Sequence, residues 1–299
     1  MPERTARDLG EFGLIAAVTA RLGTSDQVLL GPGDDAAVVT APDGRVVVTT
    51  DVLVEGVHFR RDWSSAYDVG RKAAAASLAD VAAMGGTATS LVVGLAAPGD
   101  LPVRWALELA DGLRDEASVV GAVVVGGDTV RADQVVVGVT ALGTLHGLPP
   151  VTRGGARPGD VVVLAGRLGW SAAGLALLRS GSQEGPLVQA HRSPTPPYLM
   201  GAVLARAGAT AMCDVSDGLV ADLGHLCQAS GVGIDLSAAA LRDDAVDLQD
   251  VLTGGEDHAL VATLPGPPPD GCRVVGVVTQ GHTVTLDGCA VSGGWAHFS

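Results

Sequence analysis

The sequence predicts an α/β (α+β) protein of two domains. β-Branched runs alternate with Ala-rich or amphipathic stretches along the whole chain, and each half contains a strand, a glycine-flanked acidic turn and then a helix. The segment Leu148-Pro-Pro-Val-Thr-Arg-Gly-Gly-Ala-Arg-Pro-Gly-Asp160 concentrates Pro and Gly between two periodic regions. It places the boundary between domains 1–147 and 148–299. With 299 residues and 47 % apolar composition, the chain can bury one large or two ordinary cores.

The elements follow in order. Residues 8–22 read as a short amphipathic helix, and 28–30, 36–40 and 46–50 as strands broken by Gly-Pro-Gly and Pro-Asp-Gly turns. Residues 65–84 form an Ala-rich helix stopped at Gly85-Gly86. Strand 91–96, helix 104–118 and strands 119–125 and 135–142 complete the first half. In the second half, strand 161–165, helix 171–179, a proline-rich connection at 191–197, helix 198–207, strand 211–215 and helix 219–230 precede strands 259–264, 274–278 and 283–286. Residues 231–250 carry no clear pattern.

Composition excludes several classes of function. The net charge of −14 and a single lysine, Lys72, argue against nucleic acid or an anionic membrane as partner. No run of eighteen apolar residues occurs, and the N-terminus lacks the apolar core of a signal peptide, so a cytoplasmic location is expected. Cys213, Cys227, Cys272 and Cys289 show neither a CxxC pair nor zinc spacing and are expected as small core residues. There is no GxxxxGK[ST] loop and no protein-kinase motif set. A nucleotide triphosphate would have to be held by metal ions and backbone amides.

The aspartates meet that requirement. Gly33-Asp34-Asp35, Thr49-Thr50-Asp51, Asp80, Gly126-Gly127-Asp128 and Asp214-Val-Ser216-Asp217-Gly218 stand beside glycines, at expected strand ends or on an Ala-rich helix. Converging carboxylates repel unless a cation lies between them, and Mg²⁺ is the hard ion that takes oxygen ligands and keeps phosphates in its shell. Adjacent Asp34 and Asp35 face opposite sides of an extended segment, and sequence alone does not choose between them. Asp80, on so apolar a helix, is expected to face a cation. Glycines at 126 and 127 would let amides approach a phosphate. Arg131, Arg153 and Arg157 are candidate phosphate clamps. At 214–217 one oxygen is expected to cap the following helix, which leaves the others for chemistry. His58 could contact a substrate phosphate, Glu256 suits a cationic or hydrogen-bond-donating part of a substrate, and Trp295 is a candidate platform for a heteroaromatic ring.

The series GPGDDAAV, TTDVLVEGVHF, SLADVAAMGG, GGDTVR, TRGGARPGD, DVSDGLVADLGHLCQASG, TGGEDH and GWAHF, in this order and spacing, resembles the thiamine-monophosphate kinase family of the aminoimidazole-ribonucleotide-synthetase-like superfamily. The resemblance implies a mixed-sheet N-terminal domain that binds ATP and metal and dimerises, and a C-terminal α/β domain that completes the site. It implies transfer of phosphate from ATP to thiamine monophosphate, giving thiamine diphosphate, with several Mg²⁺ ions, in a cytoplasmic homodimer. Carried over by position, Asp35, Thr49, Thr50, Asp51, Asp80, Asp128, Asp214 and Asp217 become metal ligands, with Asp128 and Asp217 central to catalysis. Gly127, Asp128, Arg153 and Ser216 become ATP contacts, and His58, Glu256 and Trp295 the thiamine phosphate pocket.

Departures stand at Ser77-Leu-Ala-Asp80, where the family usually has Asn-Leu-Ser-Asp, at His258 in place of a Tyr, and at Arg192-Ser-Pro-Thr-Pro-Pro. The alternatives are another ATP-using enzyme of the superfamily or a catalytically silent nucleotide-binding module. Selenophosphate synthetases carry an N-terminal reactive Cys that is missing here, hydrogenase-maturation relatives end in Cys, and aminoimidazole-ribonucleotide synthetases lack the GGED and GWxHF pairing.

Overall fold

The computed structural model describes residues 4–30 and 37–295; Asp34, Asp35, His297 and Phe298 lie outside the described residues. The chain divides into two compact units, Met1–Val81 with Ala88–Thr144, and Ala82–Thr87 with Leu145–Ser299.

The first unit opens on α1 (Ala6–Thr19), started by a capping box in which the Thr5 hydroxyl accepts the Asp8 N–H and Asp8 accepts the Thr5 N–H. β1 (Val28–Leu30) and β2 (Val38–Val39) pair antiparallel. Then come β3 (Val47–Val54), α2 (Ala66–Ala83), β4 (Thr87–Ala97), α3 (Val103–Ser118), β5 (Val123–Arg131) and β6 (Val136–Thr144). A four-stranded mixed sheet runs β3-β6-β4-β5, with β3 and β6 antiparallel and β4 and β5 parallel. A parallel pair needs a crossover, and α3 supplies it. On β6, Val137, Val139 and Ala141 are fully buried, while Gly138, Thr140 and Leu142 turn to the other face.

Two of the strands that run further than the sequence predicts carry acidic motifs. β3 continues through Asp51 to Val54, with Asp51 opposite Val139, and β5 runs through Gly126-Gly127-Asp128 to Arg131. Asp51 and Asp128 therefore sit inside strands and not where strands emerge into loops. Ladder pairing overrides the weak strand propensity of Asp and Gly. Gly127 also has a packing reason, because a Cβ there would collide with the Val93 carbonyl of neighbouring β4.

The second unit contains β7 (Val161–Ala165), α4 (Trp170–Arg179), α5 (Pro186–Arg192), α6 (Tyr198–Arg206), β8 (Ala211–Val215) and α7 (Leu219–Ser230). After these come β9 (Gly233–Leu236), α8 (Ala238–Leu241), α9 (Leu248–Thr253), β10 (Ala259–Leu264), β11 (Arg273–Thr279), β12 (Val284–Leu286) and β13 (Cys289–Ala290). Its seven-stranded sheet has the order β13-β12-β9-β11-β7-β10-β8, antiparallel except where β9 meets β12. Every residue of β8 and β10 is buried, and Leu219, Leu223 and Leu226 of α7 join Val162, Leu164, Cys213, Val215 and Val261 in one core. The short helix α5, whose first turn Pro186 suits, runs into the first two residues of the proline-rich connection expected at 191–197. Residues 231–250 resolve into β9, α8 and the start of α9. Cys213 and Cys227 are core residues as expected, whereas Cys272 is half-buried and Cys289 exposed on the outermost strand. None of the described helices is long and apolar enough to cross a membrane.

Candidate active site

In the first unit, alternation along β3 sorts the threonines and the aspartate. Thr49 and Asp51 point to the face covered by α2, where the Thr49 hydroxyl donates to Asp80 Oδ2 at 2.6 Å and the Ser77 hydroxyl to Asp51 Oδ2 at 2.8 Å. Ser77 lies one helical turn before Asp80, so the two pairs form adjacent rungs between strand and helix. Thr50 faces the other way and pairs with Thr140, whose hydroxyl donates to it at 3.1 Å. The expected set is thus divided: Thr49, Asp51 and Asp80 are together, and Thr50 is not with them. Asp128 lies on β5, at the opposite edge of the sheet from β3. Three strand spacings separate the two, roughly 14 Å. Its Oδ1 accepts the Thr129 N–H at 2.8 Å.

His58 lies in the turn after β3. The Val54 N–H donates to His58 Nδ1 at 3.0 Å, so Nδ1 presents a lone pair and the ring proton sits on Nε2, a donor suited to an anionic oxygen. Lys72, 3 % exposed on α2, donates to the His58 carbonyl at 3.1 Å.

The second unit gathers the other motifs around the end of β8. Asp214 is buried, and His258 Nδ1 donates to its Oδ2 at 3.0 Å. The helix α7 starts at Gly218 with no side-chain cap, so none of Asp214, Ser216 and Asp217 serves as the expected cap. Instead Asp222, 3 % exposed in the first turn of α7, reaches back and accepts the Ser216 and Asp217 N–H groups on Oδ2, both at 3.1 Å. Burial, together with the nearby Asp214 and Asp217 carboxylates, pushes the Asp222 carboxyl up to about 7. This residue was missed at the sequence level. Its signal is an acid in the first turn of a helix whose cap is glycine.

Glu256 and His258 flank Asp257 with left-handed backbone, φ +66° and +53°. That geometry is costly for residues with a Cβ, about 1–3 kcal/mol each, and marks a turn held by its surroundings. Gly255 is required there, since a Cβ would collide with the Ser216 carbonyl. Glu256 Oε2 lies 3.6 Å from His191 Nδ1, which is hydrogen-bonded to Ser171 Oγ at 3.0 Å. Asp257 accepts the Ser171 N–H at 2.9 Å at the start of α4, and burial pushes its carboxyl up to about 6. Trp295 is 59 % exposed, with its N–H donating to the Asp217 carbonyl at 2.8 Å. Arg131, Arg153 and Arg157 are exposed.

The donor set is oxygen throughout, as a hard cation requires. Among the described residues no group of three or more Asp, Glu, His or Cys side chains is placed to hold a metal ion, and one oxygen each of Asp51, Asp80 and Asp214 is hydrogen-bonded to Ser77, Thr49 and His258.

Residues 33–145 match the AIR synthase related protein N-terminal domain and 157–287 the corresponding C-terminal domain. A thiamine-monophosphate kinase of Mycobacterium tuberculosis is 50 % identical over 98 % of this chain and 93 % of its own. The chain belongs to the thiamine-monophosphate kinase family. A solved thiamine-monophosphate kinase from Stenotrophomonas maltophilia K279a superposes with a TM-score of 0.81 at 32 % identity, covering 93 % of this chain and 96 % of that one. Another, described as AaThiL complexed with AMPPCP and TMP, gives 0.79 at 34 % identity over 98 % of both chains. His258, the departure expected from the resemblance, is bonded directly to Asp214.

Proposed function

We propose that this chain transfers the γ-phosphoryl group of ATP to thiamine monophosphate, forming thiamine diphosphate and ADP. The observation that carries the proposal is the likeness, along 98 % of both chains, to AaThiL bound to AMPPCP and TMP, which we read as an ATP analogue and thiamine monophosphate.

The acceptor is its own nucleophile. Its phosphate monoester has a second pKa near 6 and is mostly dianionic at neutral pH, so no general base is needed. An acceptor phosphate oxygen bonds to the γ-phosphorus, the bond from γ-phosphorus to the β,γ-bridging oxygen breaks, and ADP leaves. Bound Mg²⁺ would neutralise the phosphate oxygens and reduce the repulsion between two polyanions. In the first unit, Thr49, Asp51 and Asp80 would hold one ion and Asp128, at the other edge of the sheet, another, with Thr50 and Asp35 as further ligands of the several ions expected. In the second, Asp214 and Asp217 would do so. Gly127, Asp128, Arg153 and Ser216 would contact ATP or its metals. His58 would donate its Nε2–H to the acceptor phosphate, Trp295 would stack on a thiamine ring, and Glu256 would meet the thiazolium or aminopyrimidine.

The four-stranded sheet of the first unit supports a homodimer. Val48, Val52, Val92 and Val130 are 65 %, 52 %, 37 % and 52 % exposed. So much exposed valine on one small sheet is the composition of a buried interface. A reaction that consumes ATP supports the expected cytoplasmic location. In this reading domain 1–147 binds ATP and metal and dimerises, and 148–299 completes the site. A coupled ADP-release assay tests the proposal: release should require thiamine monophosphate and Mg²⁺, and fall below detection in Asp217→Asn. Release independent of the acceptor would sink it.

A further inference from the structure

The Ser216–Asp217 dipeptide has all four of its backbone polar groups engaged within the second unit. Both N–H groups donate to the single oxygen Asp222 Oδ2 at 3.1 Å. The Ser216 carbonyl accepts the Glu256 N–H at 2.9 Å, and the Asp217 carbonyl accepts the Trp295 N–H at 2.8 Å. One dipeptide thus ties two residues expected on the ATP and metal side to two expected around the acceptor. The Glu256 and Trp295 bonds come from backbone and survive any side-chain substitution there. Asp222 supplies the only side chain among these four bonds.

We propose that Asp222 is a positioning residue that sets Ser216 and Asp217, and through them Glu256 and Trp295, in one register, so that donor and acceptor groups are fixed together. The inference rests on the thiamine-monophosphate kinase reading of the site. Asp222 is not among the residues expected to contact either substrate; its Oδ2 is engaged by the Ser216 and Asp217 N–H groups. It is buried, so each conformation of the dipeptide that abandons its oxygen leaves a buried acceptor unsatisfied, and those conformations are disfavoured. It bonds amides five and six residues upstream, beyond the reach of an ordinary helix cap, which makes the turn and not the helix its object. Misplacement of reacting groups by about 1 Å costs on the order of a hundredfold in rate.

The test compares Asp222→Ala, which removes the acceptor, with Asp222→Asn, which keeps a carbonyl oxygen in the same place. In Asp222→Ala, kcat/KM should fall roughly a hundredfold. The KM for thiamine monophosphate and the Mg²⁺ concentration for half-maximal rate should rise together, and amide hydrogen exchange at 214–218 and at Trp295 should accelerate. Asp222→Asn should recover most of the activity and all of the exchange protection. Unchanged exchange in a folded Asp222→Ala protein would overturn the proposal, as would an Asn variant as inactive as the Ala variant with its amides still protected. Should Asp222→Ala not fold, Asp222→Asn decides, and loss of both activity and protection there overturns the proposal. If the wild-type protein makes no thiamine diphosphate, the functional reading falls, while the exchange contrast still judges the positioning role.

Discussion

The Thr49 hydroxyl donates to Asp80 Oδ2 across 2.6 Å, joining strand β3 to helix α2 at a carboxylate. The bond holds a half-buried anion in one orientation, as supporting hydrogen bonds do around metal-ligating carboxylates. Thr49→Val keeps the shape and removes the donor. The Mg²⁺ concentration for half-maximal rate should rise about 10- to 100-fold, with kcat recovering at high Mg²⁺. A Mg²⁺ titration of initial rates checks this, and an unshifted curve would remove the Thr49 hydroxyl and its bond to Asp80 from the metal site.

The only lysine in the sequence is buried beneath the His58 turn and donates to the His58 carbonyl. Lys72→Met should lower the unfolding free energy by about 1–3 kcal/mol through the acceptor it leaves behind. It should raise the KM for thiamine monophosphate more than it lowers kcat, because the turn that carries His58 would lose the anchor at its carbonyl. Denaturant unfolding and steady-state kinetics separate the two effects.

Much of this arrangement was legible in the sequence because the motifs carry their own turn chemistry. The Gly218 and Gly255 positions and the Ala-rich α2 lie where composition places them, whereas Val119, expected to open a strand, caps α3 and β5 begins only at Val123. What escaped is tertiary. Asp51 and Asp128 look like strand ends in the sequence because Asp and Gly are poor strand formers, yet their ladders continue for three residues past each. The split between Thr49 and Thr50 needs only the period of two, but which face meets α2 depends on a helix distant in sequence. Asp222 reads as an ordinary first-turn acid until the turn before α7 folds back over it.

Asp257 gives the fold a pH dependence of definite sign. Its carboxyl is raised from 3.8 to about 6 by burial, so between these values the folded chain holds a proton that the unfolded chain has released. This contribution to stability is complete below about pH 4 and is lost as pH rises through 6, a change of about 3 kcal/mol. Asp257→Asn cannot titrate and retains an acceptor for the Ser171 N–H. The difference in unfolding free energy between wild type and variant should therefore move by about this amount across the window, with wild type losing ground as pH rises. A flat difference would show that the carboxyl is not buried.

The exposed valines of β3 offer a separate check. Val52→Lys places a charge on a 52 % exposed strand position, where a monomer would tolerate it with a stability change within about 0.5 kcal/mol. Light scattering should show wild type at twice the chain mass and the variant at the chain mass. A monomeric wild-type protein would overturn the dimer.

Phosphate-to-phosphate transfer is tested most directly by ³¹P NMR of the purified protein incubated with ATP, Mg²⁺ and thiamine monophosphate. The expected result is the coupled pair of resonances of thiamine diphosphate, rising one for one with ADP, absent without Mg²⁺ and absent in Asp128→Asn and Asp217→Asn. Inorganic phosphate accumulating with ADP while thiamine monophosphate stays unchanged, or full product formation by both variants at limiting Mg²⁺, would contradict the account.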